Sequence, residues 1–317
     1  MNENKLTKVF IDGGEGTTGL RISARLTARE DISVFTLPDD VRKDPAARKE
    51  ALCSSDISIL CLPDAAAREA IEMISCPEGE HVRIIDASTA HRTNPDWTYG
   101  FPELPGHSFE EVAASKRVAV PGCHASGYIA LVLPLIRAGI LSPDVALSCT
   151  SLTGYSGGGK KMIASYLDSG RSPLLSAPRI YALGQSHKHL PEMVKYSEAN
   201  IAPVFLPIVG NFYSGMLVTV PLHAEMLGGA KLSDIASLLR ETYNSRMVRY
   251  VAAADEDGFL SASALSGRDS MEISVFGSDE RITLAARYDN LGKGASGAAL
   301  ECLNLMCGAD PYEGLVL

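Results

Sequence analysis

The chain lacks the patterns that mark metal-binding, disulfide-rich and membrane-spanning proteins. Its seven cysteines form no C-x-x-C pair, and an odd number argues against a disulfide framework and against a zinc knuckle. The longest apolar run, around residues 129–135, is too short to cross a bilayer. The first five residues carry no hydrophobic signal core, so we expect a cytoplasmic protein.

An excess of positive charge is also missing. Lysine and arginine number 29 against 38 aspartates and glutamates, which gives a formal net charge of −9 with no block of like charges. We therefore expect no nucleic-acid partner. The 317 residues are 46% hydrophobic and 21% charged, a composition typical of a globular enzyme, and this length predicts two domains.

The first part of the chain alternates short apolar runs with helical stretches. Strands are expected at 8–12, 32–36, 56–62 and 82–86, with helices at 20–28, 46–51 and 64–74. This alternation predicts a Rossmann-type α/β domain with a parallel sheet. Gly14, Gly16 and Gly19 follow the first strand and match G-x-G-x-x-G, the turn that brings a pyrophosphate to helix N–H groups.

Spacing alone leaves open which dinucleotide this domain binds and what Arg92 does. Asp39 and Asp40 lie where the ribose-binding acid of an NAD enzyme falls, whereas Arg42 and Lys43 suit the 2′-phosphate of NADP. Arg92 follows the fourth predicted strand, in a loop that borders the ligand crevice. It is either a solvated loop residue or a bidentate contact for a carboxylate or phosphate.

Cys123 is the cysteine with a reactive setting. It follows the turn-forming pair 121–122 and directly precedes the apolar helical run 128–135. Backbone N–H groups and the helix dipole at such a position stabilise the thiolate, which is the nucleophilic form. The alternative is a buried cysteine that acts as a small apolar residue. We expect that packing role for Cys61, Cys149, Cys302 and Cys307.

Two polar clusters follow in the second half. Residues 154–160 match the P-loop pattern, but Lys161 stands where a Mg²⁺-binding Ser or Thr is required, which disfavours a kinase or ATPase. The ammonium groups of Lys160 and Lys161 still suit a phosphate-bearing substrate. His187 and His189 project the same way if their segment is extended. These two histidines suit acid/base catalysis, metal ligation or a surface role. Because no other His, Asp or Glu residues have the spacing of a metal-binding motif, we expect no metal.

Five further predicted strands indicate a second, α+β domain. Strands at 146–152, 205–209, 216–222, 271–276 and 281–287 with few intervening helices indicate a largely antiparallel sheet, whose second face a partner subunit would cover. We predict a dinucleotide-binding domain over 1–121, completed by the C-terminal helix within 291–317. The catalytic, substrate and oligomerisation domain then covers 122–290.

Several segments, taken in order, point to one family: 14–19, 86–92, 99–104, 121–123, 154–161, 187–192 and 289–297. Together they resemble the N-acetyl-gamma-glutamyl-phosphate reductases, in their short form. One stretch departs from that family. The residues after its cysteine are usually Tyr-Pro-Thr-Gly, whereas this chain has His124-Ala125-Ser126-Gly127.

The resemblance implies an NADP(H)-dependent acyl-phosphate reductase of arginine biosynthesis, active as a homodimer or homotetramer. It implies that Cys123 is the nucleophile and that His187 or His189 is the acid/base. The expected cofactor contacts are Gly14, Gly16, Thr17, Thr18, Gly19, Thr36, Arg42, Lys43, Ser88, Asn290, Lys293 and Gly294. The expected substrate contacts are Arg92, Ser156, Lys160 and Lys161. The alternatives are a reductase like aspartate-semialdehyde dehydrogenase and a non-catalytic NADP-sensing protein.

Overall fold

The structure is a computed structural model that describes residues 6–317, and the chain divides into two compact units. The first contains the residues up to 102 together with 109–121 and 295–315. The second contains 103–108, 122–294 and the last two residues. The sequence predicted that the chain changes domain after residues 121 and 290. The compact units change over after residues 121 and 294, and also after 102, 108 and 315.

The first unit is built on a parallel sheet. Its strands are β1 (Thr7–Asp12), β2 (Ile32–Phe35), β3 (Ile57–Leu60), β4 (Arg83–Asp86), β5 (Thr98–Tyr99) and β6 (Arg117–Ala119). Its helices are α1 (Thr17–Leu26), α2 (Pro45–Ser54), α3 (Asp64–Met73), α4 (Phe109–Ala114) and, from the end of the chain, α9 (Gly297–Cys307). The strand order is β2-β1-β3-β4-β6-β5, and every pair is parallel.

Packing on both faces of this sheet explains why its strands are apolar throughout. All four residues of β3 are buried, as expected for a parallel strand that is covered on both sides. One face packs against α9, whose residues 297–306 are all buried, and the other packs against α2 and α3. Asp12 lies opposite Leu60, which lies opposite Asp86, so the carboxyl ends of β1, β3 and β4 share one edge. Ligands of such sheets bind at that edge.

The second unit contains a seven-stranded mixed sheet in the order β11-β12-β13-β10-β7-β9-β8. The strands are β7 (Ser148–Gly154), β8 (Arg179–Ile180), β9 (Val204–Gly210), β10 (Met216–His223), β11 (Val248–Tyr250), β12 (Met271–Ser278) and β13 (Arg281–Tyr288). The helices are α5 (Cys123–Arg137), α6 (Gly159–Leu167), α7 (Leu190–Ser197) and α8 (Leu232–Thr242). Four strand pairs are antiparallel, while β7–β9 and β11–β12 are parallel. The predicted fold class is confirmed.

Helix α5 is the core of the second unit. Residues 124–136 are all buried, which fits a run that is apolar on every side of the helix. It packs against β10 and β13 of the sheet and against α7 and α8. The first residue of this buried helix is Cys123. Over residues 6–317, no helix is both long enough and apolar enough to span a membrane.

Candidate active site

Cys123 lies where the sequence predicts it, at the N-terminus of α5. It is half-buried, whereas the residues that follow it are fully enclosed. The Tyr288 hydroxyl donates to the Cys123 carbonyl and accepts the Gly127 N–H at 3.0 Å, which ties the first turn of α5 to β13. A Cβ on Gly294 would lie 2.9 Å from the Cβ of Cys123, so only glycine allows the chain to pass this close to the nucleophile.

Glu192 fixes the peptide that precedes the thiol. Its side chain is 1% exposed and lies in the first turn of α7, where its Oε1 accepts the Gly122 N–H at 2.7 Å. A hydrogen bond to a carboxylate is about twice as strong as a neutral one. Sequence reasoning did not assign this glutamate a role. An acid in the first turn of a helix is common for dipole reasons alone, so its position gave no specific signal.

His187 and His189 come together, although their segment is a turn and not the extended strand that their spacing suggests. Their ring centroids are 4.7 Å apart, and His189 is 5% exposed at the start of α7. The His189 backbone N–H donates to His187 Nδ1 at 3.1 Å. Because that nitrogen is an acceptor, a neutral His187 carries its proton on Nε2. A neutral His187 in this arrangement therefore presents one N–H donor, at Nε2, and its acceptor nitrogen is already bonded.

His124, the residue that departs from the family pattern, lies beside this pair. Its ring centroid is 5.4 Å from that of His187 and 5.6 Å from that of His189. Burial, with a smaller contribution from His187, lowers the pKa of His124 to about 3, so the ring is neutral at neutral pH. Burial and then the nearby Cys123 charge raise the pKa of Tyr181. The nucleophile, the histidines and Tyr181 thus form one cluster within the second unit.

The predicted ligands near residue 290 are engaged within the second unit. Asn290 donates to Ser156 Oγ at 3.0 Å and accepts the Gly215 N–H at 2.9 Å. Lys293 is 1% exposed and its Nζ lies 2.7 and 2.9 Å from the two carboxylate oxygens of Glu103. These contacts fix both side chains. The cofactor role of Asn290 and Lys293, and the substrate role of Ser156, stay predictions.

Lys160 and Lys161 are exposed in the first turn of α6. They follow the glycine turn that the sequence indicated, and their substrate role also stays a prediction.

The first unit has a pocket of about 470 Å³ at the carboxyl ends of β1 and β3, and Gly14, Gly16, Thr36, Arg42 and Lys43 line it. Thr17 and Thr18 follow as the first residues of α1. A Cβ on Gly19 would lie 2.8 Å from the Gly13 carbonyl oxygen, so this turn requires a glycine there.

Arg42 and Lys43 are the side chains of this pocket that suit a phosphate. Asp39 and Asp40 are not among the residues that line the pocket. Asp39 Oδ1 instead accepts a hydrogen bond from Arg42 Nε at 2.8 Å. Sequence reasoning missed Arg48, which also lines the pocket and bonds Asp12 at 2.9 Å. The residues present therefore fit a dinucleotide, and the basic pair fits a 2′-phosphate.

The loop after β4 carries a buried polar cluster. Asp86 is fully buried and accepts from the Ser88 N–H and hydroxyl, at 2.8 Å each, and from His91 Nδ1 at 2.7 Å. Arg92 is 7% exposed and donates to the carbonyls of Val120 and Ala87. Burial excludes the solvated-loop interpretation of Arg92. The ligand contacts of Ser88 and Arg92 stay predictions.

Comparison with known proteins places this site in a family. A family model described as the dimerisation domain of semialdehyde dehydrogenases matches residues 123–290 and begins at the half-buried cysteine. The N-acetyl-gamma-glutamyl-phosphate reductases of Brucella ovis and Brucella canis are each 43% identical over 309 residues, which covers 95% of this chain and 99% of theirs. The chain belongs to the N-acetyl-gamma-glutamyl-phosphate reductase family. The resemblance predicted from the sequence motifs is confirmed.

Two solved structures of other enzymes share the fold of this chain. Aspartate semialdehyde dehydrogenase II from Vibrio cholerae is 17% identical with a TM-score of 0.71, covering 95% of this chain and 98% of that one. Aspartate semialdehyde dehydrogenase with NADP from Candida albicans is 15% identical with a TM-score of 0.66, at the same coverage. At these identities the likeness shows the fold alone.

Proposed function

We propose that this protein catalyses the NADPH-dependent reduction of N-acetyl-glutamyl 5-phosphate to N-acetyl-glutamate 5-semialdehyde and phosphate, in arginine biosynthesis. The observation that carries the proposal is a cluster in the second unit. Cys123 lies at a helix N-terminus, the preceding peptide is bonded to Glu192, and the His187–His189 pair packs against His124, the next residue of that helix. The 43% identity to reductases named for this reaction supports the choice of substrate.

The first half-reaction is acyl transfer to sulfur. One histidine of the pair takes the Cys123 thiol proton, and the thiolate attacks the carbonyl carbon of the acyl phosphate. The carbon–oxygen bond to phosphate breaks, the histidinium returns its proton to the leaving phosphate, and a thioester remains on Cys123. The positive end of α5 stabilises both the thiolate and the negative charge that develops on the carbonyl oxygen.

The second half-reaction releases the product from Cys123. NADPH, which the glycine turn at 14–19 and the pocket lined by Thr36, Arg42 and Lys43 would hold, supplies a hydride when bound. A hydride received by the thioester carbonyl carbon would give a thiohemiacetal anion. Its oxygen re-forms the C=O bond as the carbon–sulfur bond breaks, so that the semialdehyde leaves and Cys123 is a thiolate. The thiolate then takes a proton from solvent through the same histidine, which restores the resting site.

Removing two of the three basic side chains that line the pocket tests the cofactor. We expect Arg42→Ala/Lys43→Ala to weaken NADPH binding by about 10- to 100-fold, since each charge-assisted bond to the 2′-phosphate contributes roughly 1.5–3 kcal/mol, part of which solvent screening removes at an exposed site. NADH binding should change little. Fluorescence titration with both dinucleotides measures this, with Asp40→Ala as the control that keeps NADPH affinity. An equal loss for NADH and NADPH would contradict the assignment.

A substrate comparison tests the reaction itself. In the phosphate-dependent reverse direction, we expect kcat/KM for N-acetyl-glutamate semialdehyde to exceed that for aspartate semialdehyde by about 100-fold or more, since polar groups of a matched site reject an analogue that leaves them unpaired. A preference for the aspartyl substrate would instead support the semialdehyde-dehydrogenase alternative. NADP⁺ binding with no turnover of either substrate would support the sensing protein.

The quaternary structure and the location belong to the same proposal. Apolar side chains are exposed near the edge strand β8, among them Leu174, Ile180, Leu183 and Val204. Such a surface fits burial against a second copy of the chain, in agreement with the dimerisation domain that residues 123–290 match. A homodimer or homotetramer and a cytoplasmic location stay predictions.

A further inference from the structure

His124 is held by both of its ring nitrogens. Nδ1 lies 2.6 Å from Ser151 Oγ in β7, and Nε2 lies 2.6 Å from the Tyr181 hydroxyl. The side chain is 3% exposed. A neutral imidazole has one donor and one acceptor, so these two contacts use its whole hydrogen-bonding capacity. The ring has one orientation in which both bonds form.

The segment from Tyr181 to His189 depends on a few such anchors. Ala182 and Gln185 have φ values of 51° and 53°, a left-handed conformation that is strained for residues other than glycine. The Gln185 side chain donates to the Phe205 carbonyl at 2.8 Å and accepts the Phe205 N–H at 2.9 Å. These bonds secure the segment to β9 of the sheet.

The bond between Tyr181 and His124 secures the same segment to α5. Tyr181 is the residue at which the strained stretch begins, and His187 follows at its end. The ring centroid of His124 also lies 5.4 Å from those of His187 and Phe205, with both contacts edge-on. The His124 side chain therefore fills the space between α5, which begins at Cys123, and the segment that carries the acid/base pair.

We propose that His124 is a positioning residue, which acts through its bond to Tyr181 to hold the His187–His189 pair at Cys123. It does not exchange protons with the substrate, because both ring nitrogens are committed to protein partners. This inference rests on the proposed function, since it concerns the same thiol and the same pair. It assigns a purpose to the histidine that stands where the family usually has tyrosine.

Paired amide substitutions separate the two bonds of the ring. In His124→Gln the amide reaches the place of Nε2 and keeps the bond to Tyr181, whereas in His124→Asn it reaches the place of Nδ1 and keeps the bond to Ser151. We expect Gln to keep kcat within about 5-fold and Asn to lower it by about 10- to 100-fold, because a displacement of about 1 Å at a reacting group can cost 100-fold. NADPH affinity should stay unchanged in both variants.

Hydroxyl deletions on the partners give a matched pair that leaves His124 in place. Tyr181→Phe should reproduce the kcat loss of His124→Asn, Ser151→Ala should keep kcat within about 5-fold, and His124→Asn/Tyr181→Phe should be no worse than the poorer single variant. Thermal unfolding of each variant checks folding.

Wild-type kcat in Tyr181→Phe, an equal loss in Ser151→Ala, or additive losses in the double variant would overturn the inference. Failure of the proposed function gives a different result: the unmodified protein would then not reduce N-acetyl-glutamyl phosphate at all.

Discussion

Cys123→Ser abolishes reduction of N-acetyl-glutamyl phosphate, with an expected fall in kcat of roughly 10⁴- to 10⁶-fold, while the protein folds and binds NADPH. The reason is the nucleophile. A helix N-terminus stabilises a thiolate near neutral pH, but it does not bring a serine hydroxyl within reach of ionisation. The pocket that we propose for the dinucleotide is lined by residues of the first unit, whereas Cys123 belongs to the second. Single-turnover kinetics and NADPH titration of the same preparation measure both properties.

A second cysteine serves as the control for this variant. Cys53 is half-buried at the C-terminal end of α2, in the first unit. Cys53→Ser should keep kcat within about twofold, since substitutions away from a site are generally small in effect. Turnover of Cys123→Ser at a rate near that of the unmodified protein would remove the thioester from the mechanism.

Replacing both histidines of the pair is expected to lower kcat by about 10²- to 10⁴-fold, the range typical of a lost acid/base. Because one imidazole transfers the proton, one of the single variants, His187→Gln or His189→Gln, should already reach the loss of the double variant. In that variant, the kcat/KM pH profile should lose the limb that reports ionisation of the replaced histidine. Glutamine fills a similar space and does not titrate. Steady-state kinetics between about pH 5 and 9 provide both readouts.

His81 provides the matched control for the histidine variants. It is exposed, lies in the first unit and takes no part in the cluster, so His81→Gln should keep both kcat and the pH profile. Losses that are equal in the two single variants and multiply in the double would contradict a single proton carrier. A pH profile that is unchanged in all three variants would place the acid/base elsewhere.

The sequence predicted most of the fold because the fold depends on local periodicity. Apolar runs separated by helical stretches correctly indicated β1 to β4 and the helices between them. The strands missed by this reasoning were β5, β6, β8 and β11, which have only two or three residues. So short a run has no measurable period. Their places in the sheets follow from pairing with other strands of the chain, and β5, β8 and β11 lie at sheet edges.

The site residues also divide into those that a local sequence pattern indicates and those that only packing brings together. A cysteine after a turn and before an apolar helix is a local pattern, and two histidines two residues apart are another. The partners of His124 are 27 and 57 residues away in the chain, and the Glu192 contact to Gly122 spans 70. No spacing in the sequence reports such contacts, because they form only when the elements pack. The pairing of Lys293 with Glu103, 190 residues apart, was hidden for the same reason.

Mass spectrometry of the enzyme mixed with N-acetyl-glutamyl phosphate in the absence of NADPH tests the covalent mechanism most directly. We predict an N-acetylglutamyl adduct on the peptide that contains Cys123, which disappears when NADPH is added and the semialdehyde is released. Alkylation of that thiol beforehand should prevent both the adduct and turnover. Normal turnover by protein whose Cys123 is fully alkylated would contradict the account.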